Sequence, residues 1–278
     1  MPVQENEITA NDGLTLKGKF WMPEFQPSCI VCIVHGLGEH IGRYNHVAEY
    51  FNKNNIAVFA YDLRGHGKSE GKRGHTASYD LLLDDVEIML NKARSETNQK
   101  PPLFLYGHSL GGNIVANYII KRNVSELSGA VISSPWLRLA FEPPAFKVIL
   151  GQLMSKIYPA LTQHNGIDPN DLSKDQEVVR AYIEDPLVHS KISAGMFVNA
   201  YKAGLWAIDN ADKLKIPILV MHGGEDKITS AEATSEFVKN AGENAKLKIW
   251  EGLRHEPHNE IEKEEVLSYM KDWLLKER

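Results

Sequence analysis

Apolar residues in this 278-residue chain fall into short continuous runs, and these alternate with amphipathic stretches. The runs Cys29 to Val34, Ile56 to Tyr61, Pro102 to Tyr106, Gly129 to Ser133, Ile218 to His222 and Lys246 to Trp250 hold β-branched and aromatic residues bounded by turn formers, and are predicted strands. Between them, apolar residues at helical spacing predict helices over about Tyr44 to Asn52, Ser78 to Arg94, Leu110 to Lys121, Ala231 to Lys239 and Glu260 to Leu275. Ahead of these, Gln4 to Ala10 and Leu14 to Trp21 read as two strands joined by Asn11-Asp12-Gly13, a hairpin signal. Strands alternating with helices imply an α/β protein with a mostly parallel central sheet and helices on both faces.

The alternation fails from Trp136 to about Ala207, where no strand is predicted. Phe146, Ile149, Leu150, Leu153, Ile157 and Leu161 recur there at helical spacing, bracketed by Pro143, Pro144 and Pro159. A helical insertion that splits a parallel core reads as a cap over the carboxyl ends of the strands, where open α/β sheets bind ligands. The expected organisation is a core of residues 1–135 and 209–278 with a helical cap insertion at 136–208. Lys147 and Lys156 are the only charges in the apolar stripe. The stripe either packs on the core or forms an apolar mouth that touches lipid aggregates or a membrane surface.

Composition narrows the function classes. Hydrophobic residues make up 43%, enough for a sizeable core, and the formal charge of −5 leaves no basic footprint for nucleic acid. No apolar run approaches the ~18 residues of a membrane span. The opening Met1-Pro2-Val3-Gln4-Glu5 lacks a basic, apolar leader, so the expectation is a soluble cytoplasmic protein. Nothing sets the oligomeric state. Cys29 and Cys32 imitate a redox Cys-x-x-Cys. In a strand, however, three residues span ~10 Å and their side chains point to opposite faces, so both read as core.

The chemistry starts at Gly107-His108-Ser109-Leu110-Gly111, a Gly-x-Ser-x-Gly placed between a predicted strand and a predicted helix. A serine on such a turn has its hydroxyl pushed clear of the sheet. The hydroxyl is a poor nucleophile without a base, and the base needs an orienting acid. The last two strands run into Gly223-Gly224-Glu225-Asp226 and Glu251-Gly252-Leu253-Arg254-His255. An acid and a base therefore stand past strand ends in the chain order Ser, acid, His. Glu225 or Asp226 fits the acid. His255 fits the base better than His258, which lies beyond Pro257 and nearer the next helix. An oxyanion hole takes one N–H from the residue after the nucleophile, Leu110, and one from the loop His35-Gly36-Leu37-Gly38, where Leu37 is the candidate. Asp62, Arg64 and His66 read as ties between a loop and its neighbours, and His35 and His108 as structural. His75 and His222 have no predicted role, and Asn123-x-Ser125 without a leader is discounted as a glycosylation site.

The chain resembles the α/β-hydrolase superfamily and, within it, the monoglyceride lipase family. The resemblance rests on His35-Gly36-Leu37-Gly38-Glu39-His40-x-x-Arg43-Tyr44, Asp62-x-Arg64-Gly65-His66-Gly67, Gly107-His108-Ser109-Leu110-Gly111-Gly112, His222-Gly223-x-x-Asp226, His255-Glu256-x-x-Asn259-Glu260 and Asp185-Pro186-Leu187. It implies Asp226 as the acid and two-step hydrolysis of a lipid ester. In that scheme Ser109 is acylated, His255 moves the protons and Asp226 fixes the imidazole, with no metal or organic cofactor. Rival readings on the same triad are a lysophospholipase, a short-chain esterase, a thioesterase or an acyltransferase. A non-catalytic binding protein is disfavoured by the full set of Ser109, Asp226 and His255. Dehalogenase chemistry would want a carboxylate where Ser109 stands.

Overall fold

A computed structural model describes residues 3–97, 100–142 and 145–278. Pro143, Pro144 and the side chains of residues 145–148, Phe146 and Lys147 among them, lie outside the described residues. The predicted hairpin is β1 (Val3–Thr9) and β2 (Thr15–Trp21), paired antiparallel with Thr9 opposite Thr15. The alternating part follows as β3 (Cys29–Val34), α1 (Asn45–Lys53), β4 (Ile56–Tyr61), α2 (Asp80–Ser95), β5 (Leu103–His108), α3 (Leu110–Lys121) and β6 (Gly129–Ser133). After the insertion come β9 (Ile218–Gly223), α7 (Ala231–Ala241), β10 (Ala245–Trp250) and α8 (Lys263–Lys276). The eight strands form one sheet in the order β1-β2-β4-β3-β5-β6-β9-β10, parallel from β4 onward.

Each central strand is buried on both faces, which is why its sequence is continuously apolar rather than alternating. Alternate residues of β3 enter different cores. Cys29, Val31 and Ile33 belong to the core shared with α1 and α8, whereas Ile30, Cys32 and Val34 belong to the core shared with α2, α3 and α7. The two cysteines therefore sit on opposite faces, and burial pushes the Cys29 thiol up to about 12. They are core residues and not a redox pair. The charged loop after β4 is tied down as expected. Asp62 accepts from the N–H groups of Ile41 and Lys68 at 2.8 Å each. Arg64 is buried between Asp85 and the hairpin-turn residue Asp12.

Between β6 and β9 lie α4 (Ala145–Ile157), β7 (Thr162–His164), α5 (Gln176–Glu184), β8 (Lys191–Ser193) and α6 (Ala194–Asp209). The expectation of no strand here is corrected, because β7 and β8 form an antiparallel pair. Three polar-rich residues apiece give no readable period, and only the long-range pairing makes them strands. α4 stops at Ile157 because Pro159 disfavours helical backbone at the residue before it. α6 is riveted to α3: Asn113 and Asn117 donate to the carbonyls of Ala200 and Ala203, each at 3.0 Å. α4 lies against α6 and leaves Ile149, Leu150, Leu153 and Ile157 between 52% and 68% exposed. No helix among the described residues is long and apolar enough to cross a membrane.

Two glycines give opposite expectations. A Cβ on Gly111 would stand 1.9 Å from the Val34 carbonyl oxygen, whereas one on Gly151, within α4, meets nothing within 4 Å. Gly111→Ala is expected to lower unfolding free energy by at least ~2 kcal/mol in a urea titration. Gly151→Ala is expected to leave it unchanged or raise it by up to ~1 kcal/mol, through helix propensity alone.

Candidate active site

The site is assembled at the carboxyl ends of β3, β5, β9 and β10. Ser109 follows β5 directly and has φ +54° and ψ −115°, a conformation that L residues avoid. Its backbone is over-determined. Its N–H donates to the Ser133 carbonyl, and its own carbonyl accepts from Asn113 and Trp136, all at 3.0 Å. The turn also requires its glycines, since a Cβ on Gly107 would meet the Gly111 carbonyl oxygen at 2.4 Å.

The structure brings Ser109, His255 and Asp226 into one hydrogen-bonded line. Ser109 Oγ stands 3.0 Å from His255 Nε2, and His255 Nδ1 donates to Asp226 Oδ2 at 2.7 Å. The Asp226 side chain is fully buried. Its Oδ1 accepts from the N–H groups of Ile228 at 2.8 Å and Thr229 at 3.0 Å, and Thr229 Oγ1 lies 2.9 Å from Oδ2. Burial works against the Asp226 carboxylate, but His255 and His222 outweigh it and hold the group well below its usual range. Burial likewise opposes a charged His255, yet the adjacent Asp226 carboxylate leaves it above its ordinary value. The competing candidates stand elsewhere. Glu225 is exposed, and His258 stacks on Tyr44 with its Nδ1 3.2 Å from the Tyr106 hydroxyl. Burial drives His258 down to about 3 and His108 well below 6.5, so both are neutral.

Leu37 lies in the loop after β3, and this loop abuts Ser109. A Cβ on Gly36 would be 3.2 Å from Ser109 Cβ. Leu110 is the first residue of α3, where a helix leaves its N–H without an internal partner. Glu39 holds the loop in shape by accepting from Gly36 N–H at 2.6 Å and the Tyr44 hydroxyl at 2.8 Å. Arg43 bridges Glu39 at 2.8 Å and grips both oxygens of Glu256, next to His255, at 2.7 Å. The Tyr182 ring of α5 covers the guanidinium at 4.8 Å. Sequence reasoning gave Glu39, Arg43, Glu256 and Tyr182 no role, and likewise His222, whose Nε2 lies 3.0 Å from Asp226 Oδ2.

Two cavities meet at Ser109. One of about 110 Å3 is walled by Trp136, Leu139, Phe141, Ile192, Phe197 and Ile228, with Asn165, Asp168, Asp171 and Lys227 as its polar lining. The other, about 10 Å3 and so room for about one water, is mixed, with Leu37, Ile167 and Leu172 beside Glu39, His108, Tyr182, His255 and Glu256. A roomier groove of about 490 Å3 runs along the hairpin past Glu5, Lys17, Lys19 and His40, and holds none of the triad. Among the described residues no cluster of three His, Cys, Asp or Glu could hold a metal ion.

Comparison with known proteins bears on this geometry. The family model described as serine aminopeptidase, S33, matches residues 26–262. A Mycolicibacterium smegmatis monoacylglycerol lipase is 33% identical over 98% of this chain and 96% of its own. An uncharacterized abhydrolase domain-containing protein of Dictyostelium discoideum is 38% identical over 98% of this chain, which spans 29% of that protein's length. The crystal structure of Paleococcus ferrophilus monoacylglycerol lipase superposes with a TM-score of 0.83 at 32% identity, covering 100% of both chains.

The strained turn makes a prediction of its own. Ser109→Gly is expected to raise unfolding free energy by ~1 kcal/mol, as relief of the positive φ exceeds the entropic cost of glycine. A thermal melt of the two proteins measures it.

Proposed function

The chain belongs to the α/β-hydrolases of the serine aminopeptidase S33 family, in company with monoacylglycerol lipases, and from that premise we propose that it hydrolyses monoacylglycerols to glycerol and free fatty acid. The observation that carries the reading is the line from Ser109 Oγ through His255 to Asp226, opening onto an apolar cavity. In this reading the apolar cavity receives the acyl chain where it leaves the ester.

The steps follow from the groups present. His255 Nε2 takes the Ser109 proton as Oγ attacks the ester carbonyl carbon. The N–H groups of Leu37 and Leu110 receive the negative oxygen, and loss of one such donor typically costs ~3 kcal/mol of barrier. When the tetrahedral intermediate collapses, the ester C–O bond breaks and His255 hands its proton to the departing glycerol oxygen. A water then gives His255 a proton and attacks the acyl-Ser109 carbon. Collapse returns that proton to Oγ and frees the fatty acid. Asp226 keeps the Nδ1 proton in place throughout and balances the imidazolium.

We assign residues 136–208 as the cap and its exposed α4 stripe as the surface that meets lipid. Ile149, Leu150, Leu153 and Ile157 are apolar, contiguous at helical spacing and uncovered, an unusual cost for a surface with no apolar partner.

The test is hydrolysis of a monoacylglycerol chain-length series beside matched lysophosphatidylcholine and p-nitrophenyl butyrate, with Ser109→Ala as blank. Monoacylglycerols are expected to be preferred, with turnover lost in the variant. Turnover of the short activated ester alone would leave a generic esterase. Catalysis needs neutral His255, whose value is raised, so the acidic limb of kcat/KM is expected above 6.5, with activity lost as pH falls through it. Replacing Ile149 and Leu153 together by Ser is expected to lower turnover of vesicle-borne long-chain substrate at least about tenfold. Soluble p-nitrophenyl butyrate should still be cleaved.

A further inference from the structure

One buried histidine beside the triad is not used by the steps above. His222 is the penultimate residue of β9 and is fully buried. Its Nε2 lies 3.0 Å from Asp226 Oδ2 and 3.2 Å from the Thr229 carbonyl oxygen. The Thr229 hydroxyl, 3.4 Å away, has nearer acceptors in Asp226 Oδ2 and the Ser134 carbonyl, and the two closer partners of Nε2 only accept, so Nε2 carries the proton. On the other edge of the ring, Nδ1 stands 2.9 Å from Thr234 Oγ1 of α7 and accepts from that hydroxyl. Asp226 Oδ2 is thus shared by two imidazoles, His255 from β10's loop and His222 from β9.

We propose that His222 is a positioning residue that donates Nε2–H to the same Asp226 oxygen that receives the His255 proton, and so fixes the carboxylate and moderates its support of the His255 imidazolium. A carboxylate oxygen that accepts a second charge-assisted hydrogen bond presents less negative charge to the first donor. Without it Oδ2 keeps only His255 and the Thr229 hydroxyl, and more of its charge falls on His255. Other groups face His255 as well: Glu256 and Glu39, both paired with Arg43, and the neutral rings of His108 and His258. These are untouched by a change at His222. The proposal rests on Ser109, His255 and Asp226 being the catalytic line.

The test uses two side chains of different reach. The Gln amide nitrogen approximates imidazole Nε2, whereas the Asn one reaches only the Nδ1 position. In His222→Asn, kcat is expected to fall about tenfold, the equivalent of one hydrogen bond to a charged group. KM should hold, and the acidic limb of kcat/KM should move to higher pH. His222→Gln should return both kcat and the limb most of the way to wild type. Equal losses in the two variants with the limb in place would reduce His222 to a space-filling residue and overturn the proposal. So would a His222→Asn enzyme with wild-type kcat and limb. If the Asn variant fails to fold, nitrogen-15 histidine spectra of the wild-type protein decide. A proton held on His222 Nε2 supports the role, and an Nε2 without one ends it. Ser109→Ala, assayed in parallel, separates the two failures: if it keeps turnover, the catalytic reading itself falls, whatever His222 does.

Discussion

A carboxylate taken out of water costs several kcal/mol unless donors replace its hydration, and here Asp226 is that carboxylate. The donors come from four places in the chain: the Ile228 and Thr229 backbone, the Thr229 hydroxyl, His222 and His255. Meeting that demand fixes the Asp226 loop against β9 and aims His255 Nε2 at Ser109. The same dry setting is what makes the anion strong enough to hold His255 above its ordinary value. A second buried ionic group, Glu39 and Glu256 on Arg43, fastens the loop after β3 to the His255 loop. The two loops that would carry the oxyanion donor and the base are therefore held to each other by charge, and not only by their strands.

The insertion divides the labour differently. α6 is held to α3 by Asn113 and Asn117, whose amides reach carbonyls inside another helix, and Gly204 packs it on Leu137 beyond β6. It belongs mechanically with the sheet. The segment around β8 is also tied to the core: His189 N–H donates to the Gly38 carbonyl at 2.9 Å, and Asp185 pairs with His40 at 2.8 Å. Among the described residues of α4, Ile149, Leu150, Leu153 and Ile157 form an uncovered apolar face.

Much of this was legible in the sequence because the signals were local. The bounds of β3, β4, β6 and α3 match their predicted ends, since continuous apolar runs bounded by turn residues leave little freedom of register. Ser109, Asp226 and His255 could be found because each follows a strand, and a parallel sheet brings its strand ends together. What stayed hidden was set by long-range contact. β7 and β8 have no periodic pattern of their own. Arg43 and Glu256 are far apart in the chain, so their motifs name the residues but not the fork between them. His222 is the last large side chain of an apolar run, and only a register that turns it toward the Asp226 loop gives it a partner. Its one readable signal was a polar ring at a strand end four residues before the acid.

The central claim is that Ser109 carries the acyl group between the two halves of the reaction. Rapid-quench intact-mass analysis of the protein mixed with a monoacylglycerol tests it most directly. The expected result is a transient mass increase of one fatty acid minus water, mapped to the peptide containing Ser109 and absent from Ser109→Ala. Glycerol and fatty acid appearing in step, with no adduct on any early time point and turnover surviving in Ser109→Ala, would contradict it.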